Sequence, residues 1–495
     1  MHVFYSRINA TIIITLSLIL SACMVGPNFR SPPPPPVERY TQNPLPKKTA
    51  SSPVAGGAQQ TFITNEDIPI LWWELYHSPE INELVKAGLA NNPNLAAASA
   101  ALREAQENVN VQIGNSLWPA INTTDYAQRQ KFSQVVIAGS NNQALIFNLY
   151  NASVNISYTL DIWGGARREI ESLRAQVDYQ QFEVIAAYLT LTSNIVTTAV
   201  TIASYEAQIK ATEDLIRIEQ GVLGILNKQF QLGAISNINV LTQLTTLEQT
   251  KASLPPLQKS MAQAKHALAA LVGAFPDRKM PVIDLNRLQL PKNIPVSIPS
   301  NLVRQRPDIR ASEALLHAAC AQIGVATANL LPQLTMTGSY GWISTILPHL
   351  ISGQNNIWSI MGQVVQPIFQ GGALLANRRG KIAAFQQAAA QYRQTVLVAF
   401  ENVADTLRAL ETDARALQAQ ARAENAARRA LDLTLSQYRL GGINYIDLLN
   451  AQHQYQQTRI NRIQAQAIRF NDTAALFQAL GGGWWHKPWC VNECR

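Results

Sequence analysis

The sequence predicts a mixed α and β fold that is built from a tandem repeat and that places strands in a membrane. Three observations predict it. The chain is self-similar at a spacing of 208 residues, each half contains a long helix with heptad spacing, and each half contains strand-like runs that alternate apolar and polar residues. The low charge agrees, since 15% of the 495 residues are charged against about 25% in an average soluble domain.

Residues 1–22 have the features of a secretory signal peptide, with Arg7 in a basic region and an apolar stretch over 10–20 that is too short to cross a bilayer. The following Leu20-Ser21-Ala22-Cys23 resembles a bacterial lipobox, which makes Cys23 the predicted lipidation site. An ordinary signal peptide with an incidental cysteine is the alternative. Met24 follows the cysteine where Asp would retain a lipoprotein in the inner membrane, so the pattern implies sorting to the outer membrane.

Residues 23–79 are the predicted lipid-anchored N-terminal arm. Residues 32–36 are five consecutive prolines, which favour an extended polyproline conformation. Pro, Ser, Thr and Gly are frequent up to about residue 60, which predicts irregular structure. The arm is therefore expected to hold the lipid at a distance from the folded body.

The tandem repeat is clearest where 229–241 matches 437–449. It predicts a first structural repeat over 80–297, a second over 298–483 and a short tail over 484–495. The elements have the same order in each repeat. They are a first helix (80–117 and 302–330) ended by Pro119 or Pro332, two strands, a long helix (166–231 and 373–439) and a return helix (237–273 and 444–480).

The long helices carry apolar residues at seven-residue spacing, starting at Ile195 in the first repeat and at Val403 in the second. This spacing indicates a coiled-coil seam. A helix of some 66 residues would be about 100 Å long. Pro255-Pro256 is expected to kink the first return helix. A soluble coiled-coil rod is the alternative on length alone.

The strand-like runs argue against a rod. Residues 153–162 and 333–342 alternate apolar and polar side chains, over about the length of a tilted membrane strand. A half-buried soluble strand has the same period, and the runs over 120–129 and 357–369 are less regular. Open strand edges are not tolerated in lipid, and known barrels begin at about 8 strands. With four strands per chain, a dimer would be too narrow for a channel, so the sequence predicts a trimeric 12-stranded transmembrane β-barrel.

Several functions are disfavoured by the sequence. The net charge of +8 is spread without basic clusters, which argues against nucleic-acid binding. No run of 18 apolar residues follows the N-terminus, so helical membrane spans are not expected. No catalytic motif, metal site or cofactor site is recognised, and no enzyme is predicted. Cys490 and Cys494 lie near His486, where a tail disulfide is the alternative to a small ligand cluster, and Cys320 is expected to be a buried apolar residue.

A family resemblance rests on features from both ends of the chain. They are the Leu20-Ser21-Ala22-Cys23 start, Trp72-Trp73, the paired glycines at 164–165 and 371–372, the Leu-Gly helix breaks at 232–233 and 440–441, and the ending Leu480-Gly481-Gly482-Gly483-Trp484. The chain resembles the TolC-like outer-membrane factors and, more closely, the efflux lipoproteins of the NodT/OprM type. The resemblance implies a trimer in which the outer-membrane barrel continues into a long periplasmic α-helical barrel. It further implies an exit duct for small toxic compounds that docks to a periplasmic adaptor (membrane fusion) protein and an inner-membrane pump of the resistance-nodulation-division type.

The resemblance also implies roles for individual residues. The adaptor would dock at the helix tips, formed by Gln231, Leu232, Gly233, Tyr438, Leu440 and Gly441. The periplasmic entrance would be lined by Arg439, Ile446, Asp447, Asn450 and His453. Asn450 stands where relatives carry an Asp, so Asp447 is the candidate gate carboxylate, with an exposed surface acid as the alternative. Two other functions stay open: a duct for type I protein secretion, and a lipid-anchored coiled-coil scaffold without a pore.

Overall fold

The structure, a computed structural model, describes residues 24–64, 66–132 and 145–486. Helices and strands are interspersed along the described chain. In chain order they are β1 (Thr61–Thr64), α1 (Pro79–Asn91), α2 (Pro93–Leu117), β2 (Ala120–Phe132), β3 (Leu145–Leu160), α3 (Gly165–Gln231), α4 (Asn237–Leu271), β4 (Asn293–Val296), α5 (Pro299–Gln305), α6 (Pro307–Ala328), β5 (Gln333–Ser344), β6 (Asn356–Val365), α7 (Ala373–Arg439) and α8 (Tyr445–Ala479).

The long helices α3 and α7 each have 67 residues, and the return helices α4 and α8 each have 35. Their observed bounds confirm the predicted ones to within about two residues. Helix α4 continues through Pro255 and Pro256, so the prolines do not end it, and the expected kink stays a prediction. Buried residues on both sides of the prolines, Val240 and Leu247 before them and Leu268 after them, keep the two parts of the helix packed.

The first helix of each half was predicted as one element, and the structure divides both. Asn92 separates α1 from α2, with its side-chain oxygen accepting hydrogen bonds from the backbone of Asn94 (2.9 Å) and Leu95 (3.1 Å). Arg306 separates α5 from α6. Each separating residue has extended backbone and precedes a proline. The proline ring disfavours helical backbone at the preceding residue, and proline itself is well suited to start the next helix.

The described chain forms two compact units. The strand unit contains 24–32, 102–132, 145–180 and 312–392, and the helical unit contains 33–64, 66–101, 181–311 and 393–486. The strand unit holds a four-stranded antiparallel sheet in the order β2-β3-β5-β6. The run predicted over 357–369 ends earlier, at Val365, because Pro367 lacks a backbone N–H for the ladder.

The register of the sheet separates its two faces. Val154, Tyr340 and Trp358 are aligned on neighbouring strands, and Ile156 and Ile360 continue the same face two residues further along. The opposite face carries pairs of hydroxyls from residues aligned on neighbouring strands: Thr159 with Thr335 (3.1 Å between hydroxyl oxygens) and Ser339 with Ser359 (2.8 Å). At these positions one face is apolar and aromatic and the other carries hydroxyls, although Asp125 and Arg129 of β2 share the first face and Met361 and Val365 of β6 share the second.

The helical unit contains the main apolar core. Trp72, Trp73 and Tyr76 are buried in a 3₁₀ turn and pack with Phe470 and Phe477 of α8. A short parallel pair, β1 with β4, was not predicted; four-residue strands give too little alternation to be recognised from sequence. Helix α3 includes an 18-residue segment with mean hydropathy 1.4, apolar enough to cross a membrane, but 61% of that segment is buried inside the protein, as in a core helix.

Candidate functional site

Two glycine turns end the long helices of the helical unit. Gly233 has φ +74° and Gly441 has φ +76°. The backbone N–H of Gly233 donates to Phe230 O (2.9 Å) and that of Ala234 donates to Gln229 O (2.8 Å). The same two bonds recur at 441 and 442, with lengths of 3.0 and 2.9 Å. This is the Schellman arrangement, in which glycine adopts left-handed backbone after a helix.

The turns expose large apolar side chains at their outermost positions. Leu232 is 84% exposed and Leu440 is 87% exposed. Gln231 is the last residue of α3, and it too is exposed. The two leucines occupy corresponding positions of the two turns. Because neither hairpin buries its leucine in its own packing, their exposure favours contact with another protein.

The five predicted entrance residues are brought onto exposed positions around the second turn. Ile446, Asp447, Asn450 and His453 lie on one face of α8, and Arg439 lies at the end of α7. The opposite face of α8 is buried through Tyr445 and Leu448. Asn444 caps α8, since its side-chain oxygen accepts a hydrogen bond from the backbone N–H of Asp447 (3.0 Å). The Asp447 carboxylate thus lies in the first turn of a helix, where negative charge is stabilised.

Behind the tips, the four helices share a small apolar cluster. It consists of Val222, Leu226, Val240, Leu431, Tyr445 and Leu448. Tyr438 is half-buried at its edge, and its hydroxyl donates to Gln229 Oε1 (3.0 Å), which joins α7 to α3. The Tyr445 hydroxyl donates to Gln243 Oε1, which joins α8 to α4. Tyrosine is well suited to this edge because its ring packs while its hydroxyl finds a polar partner.

A buried acid continues this polar network. Gln243 Nε2 donates to the backbone oxygen of Glu219 (3.2 Å), and Thr250 donates to Glu219 Oε1 (3.1 Å). Burial raises the pKa of Glu219 to about 7, while the hydrogen bond from Thr250 lowers it. Sequence reasoning missed Glu219, because Thr212 and Tyr205 stand seven and fourteen residues before it and no aliphatic pattern marks its position as buried.

A second buried polar group, Arg469 of α8, holds part of the N-terminal arm. Its guanidinium is fully buried and donates to Gly56 O (2.7 Å) and Ala58 O (2.7 Å). Burial lowers the pKa of Arg469 to about 10, with the charge of Asp413 opposing the shift. At neutral pH the guanidinium keeps its charge, and the segment around residues 49–60 stays bound to α8.

In the strand unit, Arg168 holds the chain that follows Cys23. Its guanidinium, 2% exposed, donates to Val25 O (3.2 Å), Asn28 Oδ1 (2.6 Å) and Glu171 Oε2 (2.7 Å). The Phe29 ring stacks on His317, with ring centroids 4.5 Å apart. Residues 25–29 therefore lie against α3 and α6. The expectation that the whole arm holds the lipid away from the folded body is wrong for this part, because a buried arginine satisfies its backbone.

The same contacts set the charge of Glu171. Burial would raise the pKa of this carboxyl, but the hydrogen bonds from His317 (2.9 Å) and Arg168 outweigh burial and lower it. A carboxyl with a lowered pKa stabilises the fold above its ordinary range, and this contribution is lost as pH falls through the pKa in the folded protein. These contacts are therefore intact at neutral pH.

Cys23, Cys490 and Cys494 lie outside the described residues. Cys320 is buried on α6, as expected for a small apolar residue. Within 24–64, 66–132 and 145–486, no group of three or more His, Cys, Asp or Glu side chains has an arrangement that could hold a metal ion.

Comparison with known proteins gives the family. The profile of the outer membrane efflux protein family matches residues 84–274 and 298–482. The chain is 27% identical over 484 residues to the antibiotic efflux pump outer membrane protein ArpC of Pseudomonas putida, and the match covers 96% of each chain. It is 28% identical over 496 residues to nodulation protein T of Rhizobium leguminosarum bv. viciae, covering 98% of this chain and 94% of the relative.

Solved structures agree with the fold. The outer-membrane channel OprN superposes with a TM-score of 0.83 at 25% identity, covering 93% of this chain and all of that chain (100%). The open state of the Neisseria gonorrhoeae MtrE outer membrane channel superposes with a TM-score of 0.79 at 24% identity, covering 93% and 98% of the two chains. Because the family profile matches well over half of the sequence, the chain belongs to the outer membrane efflux protein family and is an outer-membrane protein.

Proposed function

We propose that this chain is the exit duct of a tripartite efflux system, and that three copies form it. The proposal rests on the open antiparallel sheet, in which Val154, Tyr340 and Trp358 lie on one face and the paired Ser and Thr hydroxyls lie on the other. Strands β2 and β6 lie at its two edges, and in lipid each edge needs a partner strand. Three copies of the four-stranded sheet make a closed 12-stranded barrel, in which the apolar face meets lipid and the polar face lines the pore.

We also propose that the chain consists of two structural repeats, 80–297 and 298–483. The equal lengths of the long helices, 67 residues each, and of the return helices, 35 residues each, support it. The family profile also matches the chain once within each proposed repeat. Six helical hairpins from three copies would form a periplasmic α-helical barrel. The arm over 23–79 and the tail over 484–495 are additions to the two repeats.

The name of a relative and the polar lining of the proposed pore indicate which cargo the duct carries. ArpC is named as part of an antibiotic efflux pump, and we propose drugs or other small toxic compounds for this duct as well. The polar sheet face, with its paired Ser and Thr hydroxyls, supports an aqueous and unselective pore. The chain would be passive, with energy and selectivity supplied by an inner-membrane pump through a periplasmic adaptor.

The helix tips are the proposed docking sites for that adaptor. Replacing Leu232 and Leu440 together by Asp is expected to abolish efflux, because a charge at each tip opposes an apolar contact. The variant should still be extracted as a trimer and conduct ions in a planar bilayer. Drug susceptibility of cells that also produce the pump and adaptor measures the effect. Ser436→Asp, an exposed change near the same turn, is the control. Unchanged susceptibility in the double variant would remove the tips from the docking site.

The entrance is proposed to lie at Arg439, Ile446, Asp447, Asn450 and His453. Asp447→Ala is expected to raise single-channel conductance in a planar bilayer severalfold, because three carboxylates around a constriction bind cations and hold the entrance narrow. The proposed function requires that the wild-type protein forms channels at all. If channels form and the variant conducts like the wild type at several salt concentrations, Asp447 is only a surface acid.

Cys23 is the proposed lipid attachment site. The contacts of Arg168 with residues 25 and 28 support an anchor close to the start of α3 and the end of β3. Radioactive palmitate should label the wild-type protein and leave Cys23→Ser unlabelled, since a serine hydroxyl does not accept the thioether-linked lipid. Cys320→Ser, a change at a buried cysteine, should label normally. Equal labelling of Cys23→Ser would contradict the assignment.

A further inference from the structure

The helical unit contains an acid whose burial is only partly compensated. Glu219 of α3 is 1% exposed. One carboxylate oxygen, Oε1, accepts from Thr250 (3.1 Å). The other, Oε2, is buried without a hydrogen-bond partner among the described residues. A buried carboxylate with an unpaired oxygen is costly when it is ionised and much less so when it carries a proton.

A second buried polar side chain without a hydrogen-bond partner among the described residues, Gln452 of α8, lies at about the same height along the helix axes as Glu219. Arg459 of α8 contacts Asp214 of α3 (2.9 Å), and Gln464 contacts Gln208 (3.2 Å), so the two helices run antiparallel. Continuing this register towards the tips places Gln452 opposite the helical turn of Glu219. Gln452 is 1% exposed, and both polar atoms of its side chain lack a partner among the described residues.

The polar network behind the tips ties Glu219 to the helix that carries the proposed entrance. The backbone oxygen of Glu219 accepts from Gln243, and Gln243 accepts from the hydroxyl of Tyr445. Tyr445 is the first residue of α8, directly before Ile446 and Asp447. A change in packing around Glu219 would therefore reach the entrance residues through one short chain of contacts.

The groups that face Glu219 are mostly uncharged. Helix α4 presents Thr250 and Gln243, and α8 presents the phenol of Tyr445, whose pKa is raised first by burial and further by Tyr438 and Glu219. Helix α7 contributes Leu431 and Leu435 to the adjoining apolar cluster.

Away from the tips, the next part-buried charged groups of α3 and α8 are Asp214 and Arg459, which pair with each other, while His453 of α8 is exposed. Arg217 also pairs with Asp214 on the exposed side. No cation among the described residues forms an ion pair with Glu219 within 4 Å. The proton is therefore the partner that can neutralise it while the helices stay packed.

We propose that Glu219 is a proton-binding residue of the duct: its protonated form keeps α8 packed on α3 and α4, and its ionised form favours their separation and thereby opens the entrance. This inference rests on the proposed duct function. It concerns a residue inside the helix packing, distinct from the exposed entrance residues.

The direction of the pH effect follows from linkage. Burial raises the pKa of Glu219 from 4.5 to about 7 in the packed state, and hydration on separation would return it towards its ordinary value. Protonation thus favours packing fully at low pH, and this contribution is lost as pH rises through about 7. The difference between the two values corresponds to a shift of up to about two and a half orders of magnitude in the equilibrium between packed and separated states.

The test is conductance of the full-length purified protein in planar bilayers from about pH 5 to pH 8 at constant salt. The wild type should conduct several times more at the upper end. Glu219→Gln, which imitates the protonated acid, should conduct little over the whole range. Thr250→Val should move the transition to higher pH, because the hydrogen bond from Thr250 lowers the pKa of Glu219.

Glu213→Gln is the matched control, since Glu213 is an exposed acid on the same helix, and it should behave like the wild type. Asp472, a half-buried acid whose pKa is raised by burial and by Asp413, is unchanged in every variant and contributes equally to all. An identical pH profile for wild type and Glu219→Gln would overturn the inference.

If no variant conducts, the proposed duct function fails, and hydrogen exchange decides the inference separately. Beyond the intrinsic pH effect, amides of 212–230 should exchange faster at high pH in the wild type and not in Glu219→Gln. Equal exchange in both proteins would overturn the inference by this route.

Discussion

Ile360→Lys is expected to prevent stable insertion of the protein into the outer membrane. Ile360 is 79% exposed on the apolar face of the sheet, on the edge strand β6. If this face meets lipid, a lysine near the bilayer midplane costs about 2–4 kcal/mol per copy, and three copies would carry it in one barrel. Membrane fractionation followed by gel analysis of the unheated trimer measures the loss.

Ser359→Lys is the matched control for this experiment. Ser359 is the neighbouring residue on the same strand, and its side chain is on the opposite, polar face, where its hydroxyl lies 2.8 Å from that of Ser339. The same charge placed there should be hydrated by the pore, so the variant should insert and show an altered conductance. If both variants insert equally well, the apolar face does not meet lipid and the barrel proposal fails.

Arg469→Met is expected to lower the free energy of unfolding by about 2–4 kcal/mol and to release residues 49–60 from α8. The guanidinium supplies hydrogen bonds to the backbone oxygens of Gly56 and Ala58 and to the hydroxyl of Thr49 (3.2 Å). Methionine can fill the space of the arginine stem, but it leaves these buried oxygens unpaired, at about 1–3 kcal/mol for each such group. Denaturant titration gives the stability, and limited proteolysis reports release of the segment.

Arg429→Met provides the comparison, because Arg429 is an exposed arginine of α7 in the same unit. A surface charge of this kind contributes about 1 kcal/mol or less, so its loss should leave both stability and proteolysis nearly unchanged. Equal stability of Arg469→Met and Arg429→Met would mean that water replaces the guanidinium at no cost, and that the arm is held by other contacts.

The sequence by itself determined the regular elements and their order. Heptad spacing predicted α3 and α7, alternation predicted β3 and β5, and the Leu-Gly pairs at 232–233 and 440–441 predicted both helix ends. These signals depend on residues within a few positions of one another. A helix or strand must satisfy its backbone locally and present one apolar face, and both requirements appear as a short period in the sequence.

The sequence predicted some helix boundaries less well. At these positions the local backbone preference at or before a proline competes with tertiary packing. Asn92 and Arg306 each precede a proline, and there the local rule prevailed and divided a predicted helix. At Pro255 and Pro256 packing on both sides prevailed, and α4 continued. The strength of the surrounding contacts decides such cases, and a single sequence does not contain it.

The buried polar contacts were decided only by the tertiary structure. Arg469 reaches Gly56 across more than four hundred positions of the chain, Arg168 reaches Val25, and Gln243 joins Glu219 to Tyr445. Each of these residues has an ordinary sequence context, and only the folded chain gives it a partner. The energy of a buried polar group depends on whether a partner and water reach it, and that is a property of the three-dimensional packing.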